Sequence, residues 1–136
     1  MNKQSSTTRR LGVGLVALAI AGSGAIAGTA SAQAAPPMPT GYYKGDVTTF
    51  PAGNAVWYGK SFRGNTVLNN TAIGMSFPGR VYPGRSVQNG QPVIVVDYGG
   101  TVVGFVRDEL RSDGRGGYWG RSLSGTSELL RFHLTR

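Results

Sequence analysis

The chain has 136 residues, with 22 Gly, 7 Pro, no Cys, a single His and a formal charge of +8 from fourteen basic and six acidic side chains. That length holds one ordinary domain. The absence of Cys excludes a disulfide framework, a thiolate nucleophile and Cys-ligated zinc or iron–sulfur centres. A lone His133 excludes a multi-His metal site, so no metal and no cofactor is expected.

Residues 1–10 carry Lys3, Arg9 and Arg10 and no acid, and residues 11–28 are uncharged and apolar. TASAQAA follows, with small residues at Ala30 and Ala32. A basic stretch, an apolar stretch and an Ala-X-Ala cut are the layout of a secretory signal peptide, with cleavage after Ala32 and a second option after Ala34. An uncleaved anchor is the rival reading, but the Gly-rich run falls short of the ~20 apolar residues a spanning helix needs. Thr8-Arg9-Arg10-Leu11 matches a twin-arginine signal only loosely, which favours the general secretory route. The expected address is extracytoplasmic, in a bacterial setting, with no membrane span after cleavage. Three basic residues precede the cut, leaving eleven against six and a net of +5. Residues 33–40 read as a Pro-rich, extended and mobile lead-in. Residues 41–136 form the domain.

Past residue 40 the period is two. Strands are expected over 42–49, 55–62, 65–69, 72–77, 80–87, 92–98, 101–111, 117–123 and 128–135. Turn signals separate them, among them Pro78-Gly79, Asn89-Gly90 and Gly99-Gly100. Residues 91–111 read as one hairpin turning at Gly99-Gly100. Eight or nine short strands joined in a meander predict an all-β fold, a single antiparallel up-and-down barrel, which removes its own edges. A β-sandwich is the alternative. Gly45, Gly59, Gly104 and Gly120 interrupt strands, as bends and bulges in a barrel would.

Alternation over 101–111 puts Arg107, Glu109 and Arg111 on one face, and Asp108 and Leu110 on the other, apolar one. Asp108 is therefore either a polar handle or general base in a cavity, or a carboxylate near the strand end that bonds a turn or pairs with an arginine. Strand 92–98 is apolar on both faces, with Ile94, Val96 and Tyr98 on one, which marks it as central. His133 reads as exposed or packed, since no G-x-S-x-G elbow is present to supply a triad. Gly-rich 113–120 lacks the ending of a phosphate loop and reads as a hairpin turn. Thirteen aromatic residues supply core, and some could line a pocket. The arginines are scattered along the sequence, so nucleic acid is not expected as a partner.

Gly41-Tyr42-Tyr43-Lys44-Gly45 resembles the Gly-X-Trp motif that opens calycins, the lipocalins and their relatives. It is closer still to the GXWXG-type family of bacterial proteins, with Tyr43 where Trp stands in the family. Trp57–Phe62, Val93–Arg111, Gly117–Arg121 and Arg131-Phe132 are similar to later parts of that family. The resemblance implies a small barrel, open at one end, that holds an apolar or amphiphilic ligand. It also implies that Tyr43 stacks on Arg131 to close the other end. It transfers no catalytic set.

Three functions are then weighed. The first is a secreted barrel binding a small hydrophobic or amphiphilic molecule, with Trp57, Phe105 and Trp119 lining the pocket and Tyr98, Asp108 and Arg121 orienting the ligand. The second is a small cyclase- or isomerase-like enzyme using Asp108 as base; the balance leans against an enzyme. The third is a cell-envelope interaction protein that binds an anionic polymer on its surface. An internal pocket of about 300 Å³ or more favours the first two, and a filled interior favours the third.

Overall fold

Residues 34–136 are described by the structure, a computed structural model; the expected leader and its first cleavage option, after Ala32, lie outside them. Eight antiparallel strands follow one another round a closed barrel. They are β1 (Gly41–Val47), β2 (Trp57–Arg63), β3 (Thr66–Thr71), β4 (Gly74–Arg85), β5 (Pro92–Asp97), β6 (Arg107–Ser112), β7 (Tyr118–Ser124) and β8 (Ser127–Thr135). Each strand pairs with its neighbours in sequence, and β8 returns to β1 with Leu134 opposite Gly45. The up-and-down barrel stands and the sandwich does not.

Eight strands replace the nine expected, because 72–77 and 80–87 are one strand. Pro78-Gly79 does not turn the chain; β4 runs through it. The register with β3 moves from Val67↔Gly79 to Asn69↔Ser76, so two residues of β4 oppose Leu68 alone. Pro78, which has no N–H to give, sits in this bulge, where the ladder is already broken.

The second correction concerns Gly99-Gly100. β5 and β6 do pair, with Val96 opposite Asp108, but nine residues connect them rather than two. Asp97 Oδ1 accepts from the N–H of Gly99 at 2.8 Å. Thr101 then bonds back to the carbonyl of Tyr98 through both N–H and hydroxyl, and Gly104 and Val106 close two further turns. Successive three-residue closures satisfy the backbone locally and leave none of it for a ladder.

β5 is buried on both faces, as its sequence implies: Ile94 and Val96 look inward, and the outward Val93 and Val95 are equally covered. The cover is the connection 86–91, which folds back over the outer wall. Its Val87 N–H donates to Glu109 Oε1 at 2.8 Å, and Gln88 bonds both Arg121 and the carbonyl of Thr126.

Aromatic side chains fill the axis, and glycines make room for them. A Cβ at Gly45 would overlap the Trp57 ring, and one at Gly120 would overlap Phe132. Gly59 sits at the β2 bulge with φ +140, against the carbonyl of Tyr43. These explain three of the four strand-interrupting glycines; Gly104 belongs to the 98–106 loop. Tyr43, Phe62, Val67, Val81, Ile94, Val96, Tyr98, Leu110, Tyr118, Phe132 and Leu134 form the core cluster. The barrel is therefore packed by its own side chains along its axis.

Candidate functional site

An antiparallel meander places alternate connections at opposite ends. Connections 48–56, 72–73, 98–106 and 125–126 share one end. Connections 64–65, 86–91 and 113–117 share the other with both chain segments outside the barrel, 34–40 and Arg136. The first set contains no Asp, Glu, Lys, Arg or His. Its tips instead carry Phe50, Val56, Ile73, Val102 and Phe105, from 59 to 85 % exposed. Apolar tips on three separate loops, at one end of a closed barrel, make a single apolar rim.

A cleft of about 320 Å³ opens in that rim between Val56, Trp57, Ile73 and Phe77, with Thr71 and Asn69 at its floor. Phe77 holds φ +50, the single non-glycine residue with positive φ among those described. For a bulky aromatic that is a strained backbone, maintained only if its surroundings over-determine it. The restraint is visible: Asn69 Nδ2 donates to the carbonyl of Phe77 at 3.0 Å.

Asn69 links the cleft to a buried polar cluster. Lys60 and Asp108 are each 2 % exposed, and their charged groups lie 2.7 Å apart. Lys60 Nζ has three acceptors for its three protons: Asp108 Oδ2, Asn69 Oδ1 at 2.9 Å and Tyr98 Oη at 2.5 Å. Tyr98 donates to Asp108 Oδ2 at 2.7 Å, and Ser122 donates to Asp108 Oδ1 at 2.6 Å. Burial, reinforced by the Asp108 charge, pushes the Tyr98 phenol well above its ordinary pKa, so it stays neutral and donates. Trp57 Nε1 completes Asn69 Oδ1 at 2.9 Å. The rings of Trp57, Tyr98 and Phe132 surround the ammonium at 5.4, 5.2 and 5.3 Å. Every member of this network has its partners, which is the condition for such a group to persist in a core.

The candidate residues divide among three places. Trp57, Tyr98 and Asp108 come together in the cluster. Phe105 stands on the apolar rim. Trp119 and Arg121 point outward from β7 and line a separate groove on the outer wall. Asp108 is inward, as alternation says, and of the two readings weighed for it the ion pair is the one realised. Its cation is Lys60 rather than the expected arginine. Both carboxylate oxygens are engaged by the chain itself, so general-base chemistry would first require the pair to break.

Tyr43 does not stack on Arg131. The guanidinium over its ring is Arg136, at 4.8 Å, which also donates to the Tyr43 hydroxyl at 3.0 Å. Arg131 lies on the outer wall against Glu128 at 2.6 Å, because it alternates with the inward Leu130 and Phe132. The lead-in is likewise tied down rather than mobile: Tyr118 donates to the carbonyl of Pro37 at 2.7 Å, and Pro39 is buried. His133 packs, stacked on Trp119 at 3.9 Å and bonded to Asp113 at 2.8 Å.

Lys60, Asn69, Ile73 and Phe77 were not among the candidates. The first two carried a signal: Lys60 alternates with Phe62 and Asn69 with Val67, so each shares a face with core. Comparison of the chain with protein-family models, with curated proteins and with solved structures gives no match in any of the three.

Proposed function

We propose that the protein binds a small hydrophobic or amphiphilic molecule at the uncharged end of its barrel, outside the cytoplasm. The observation that carries this reading is the concentration of exposed apolar side chains at one end, around a cleft of about 320 Å³. The filled axis counts against a ligand held inside the barrel, so the ligand lies in the mouth, its apolar part against Val56, Ile73 and Phe77 and its polar part in solvent. At ~25 cal/mol per Å², a tail burying about 200 Å² gains about 5 kcal/mol before immobilisation is subtracted. The buried Lys60–Asp108 cluster then acts as a rigid floor that holds Trp57 and Asn69 in place. The closed meander and the Tyr43–Arg136 stack support reading the chain as calycin-like, with Arg136 in the role that the resemblance gave to Arg131.

The test is a titration with a dansyl-labelled fatty acid. Ile73→Asp places a charge in the cleft and is expected to weaken binding about tenfold or more, while leaving the thermal midpoint nearly unchanged. Equal binding by wild type, Ile73→Asp and Val56→Asp rejects the proposal.

A further inference from the structure

The outer wall of β6, β7 and β8 carries a groove of about 650 Å³ that the reading above does not use. The register fixes what lines it. Arg111 lies opposite Trp119; one step along, Glu109 lies opposite Arg121, and Arg121 opposite Arg131. All point outward, since their neighbours Asp108, Leu110 and Phe132 point in.

Three observations in this groove are unlike anything in the inner cluster. First, buried polar atoms are left without partners. Glu109 is 1 % exposed; its Oε1 takes the Val87 N–H and Arg107, but its Oε2 accepts nothing. Arg111 Nε and Nη2 are shielded from solvent and donate to nothing, and among the described residues Arg111 has no carboxylate partner. A desolvated donor or acceptor with no partner costs free energy that a ligand can recover. Second, cations exceed anions. The groove lining holds Arg111, Arg121 and Arg131 against Glu109, while Arg121 and Arg131 share Glu128 beside it. Third, Trp119 lines the groove 52 % exposed, its ring stacked on His133.

We infer that this groove binds an acidic glycan. The three features correspond to three parts of one sugar unit. The apolar C–H face of a pyranose lies on the exposed part of the Trp119 ring. A ring hydroxyl donates to Glu109 Oε2. The carboxylate of the sugar accepts from Arg111, whose planar fork suits it. A bare polyanion uses only the last of these and is repelled by Glu109. A neutral sugar forgoes the last and leaves Arg111 unpaired. Nothing in this assignment depends on the mouth of the barrel, and either can fail without the other.

The full chain is titrated with an oligogalacturonate, a neutral galactose oligomer of equal length, polyphosphate and poly(U). The oligogalacturonate is expected to bind at least about tenfold tighter than the other three. Trp119→Ala and Arg111→Ala each lower that affinity about tenfold, with the melting transition used to confirm that both still fold. Arg111→Lys, which keeps the charge but loses the fork, lowers it too. Polyphosphate binding as well as the oligogalacturonate, with Trp119→Ala unaffected, reduces the groove to charge alone and overturns the inference. So do poly(U) binding more tightly through Trp119, and a groove that binds none of the four.

Discussion

The two ends of the barrel are built from the same meander and put to opposite uses. At one end the chain closes on itself. Arg136 covers Tyr43 and bonds the carbonyl of Thr40, Tyr118 holds Pro37, and Asp113 ties the 113–117 turn to His133. At the other end no terminal segment among the described residues folds over the rim, and the uncharged connections leave Phe50, Val56, Ile73, Val102 and Phe105 exposed. Closure needs hydrogen-bonding groups and cations, and the chain spends them where its own termini can be recruited. The exposed end keeps apolar side chains in water, which is the feature the proposed binding would use.

The sharpest way to break this contrast is beneath the exposed end. Lys60→Met leaves Asp108 buried without its cation and is expected to cost about 3–5 kcal/mol, read from urea unfolding at unchanged slope. Replacing both partners, Lys60→Met with Asp108→Leu, recovers a large part of that loss, because two desolvated charges are removed together. A double variant no more stable than the single one would show that the hydrogen bonds of Tyr98 and Ser122 matter more than the ion pair.

At the closed end the effects are smaller and of another kind. The Tyr118 phenol is pushed up to about 12 by burial, so it donates to Pro37 at every physiological pH. Tyr118→Phe is expected to lose about 1 kcal/mol and to expose the lead-in to proteolysis before Gly41. The same substitution leaves dansyl fatty acid binding unchanged if the two ends act separately. Conversely, Val102→Ser or Phe105→Ser at the exposed end shifts stability by no more than about 0.5 kcal/mol.

The smallest effect is a pH dependence. The bond from His133, helped by the backbone N–H groups of Arg115 and Gly117, holds the Asp113 carboxyl below its ordinary range. Its stabilising contribution is therefore present above about pH 4, where an unfolded Asp is ionised, and is lost as pH falls through the lower folded value. His133→Phe keeps a ring against Trp119 and removes the bond. The gap in Tm between wild type and this variant is expected to be open at about pH 5 and to narrow toward about pH 2.

Much of this architecture was legible because a strand with one buried face cannot hide its period. Asp108 on the inner face, β5 covered on both faces and the closed meander all follow from alternation. The failures share a cause. Glycine and proline announce a change of direction without saying how large it is. Pro78-Gly79 shifts one strand by a residue, whereas Gly99-Gly100 opens a nine-residue loop that Thr101 stitches together. Side-chain reach is the other blind spot. Alternation could have placed Lys60 inside and Trp119 outside, but which cation meets Asp108, or covers Tyr43, depends on shear and tilt that no local pattern encodes.

The seam between β1 and β8 has a temporal consequence. Gly45 finds Leu134 only after nearly the whole chain exists, so a polypeptide still on the ribosome presents two raw strand borders with nothing to pair them. Loop entropy must be met before that last ladder gives anything back, which makes ring closure the slow step of assembly. A chain shortened before its final strand stays an open ribbon, prone to joining its neighbours.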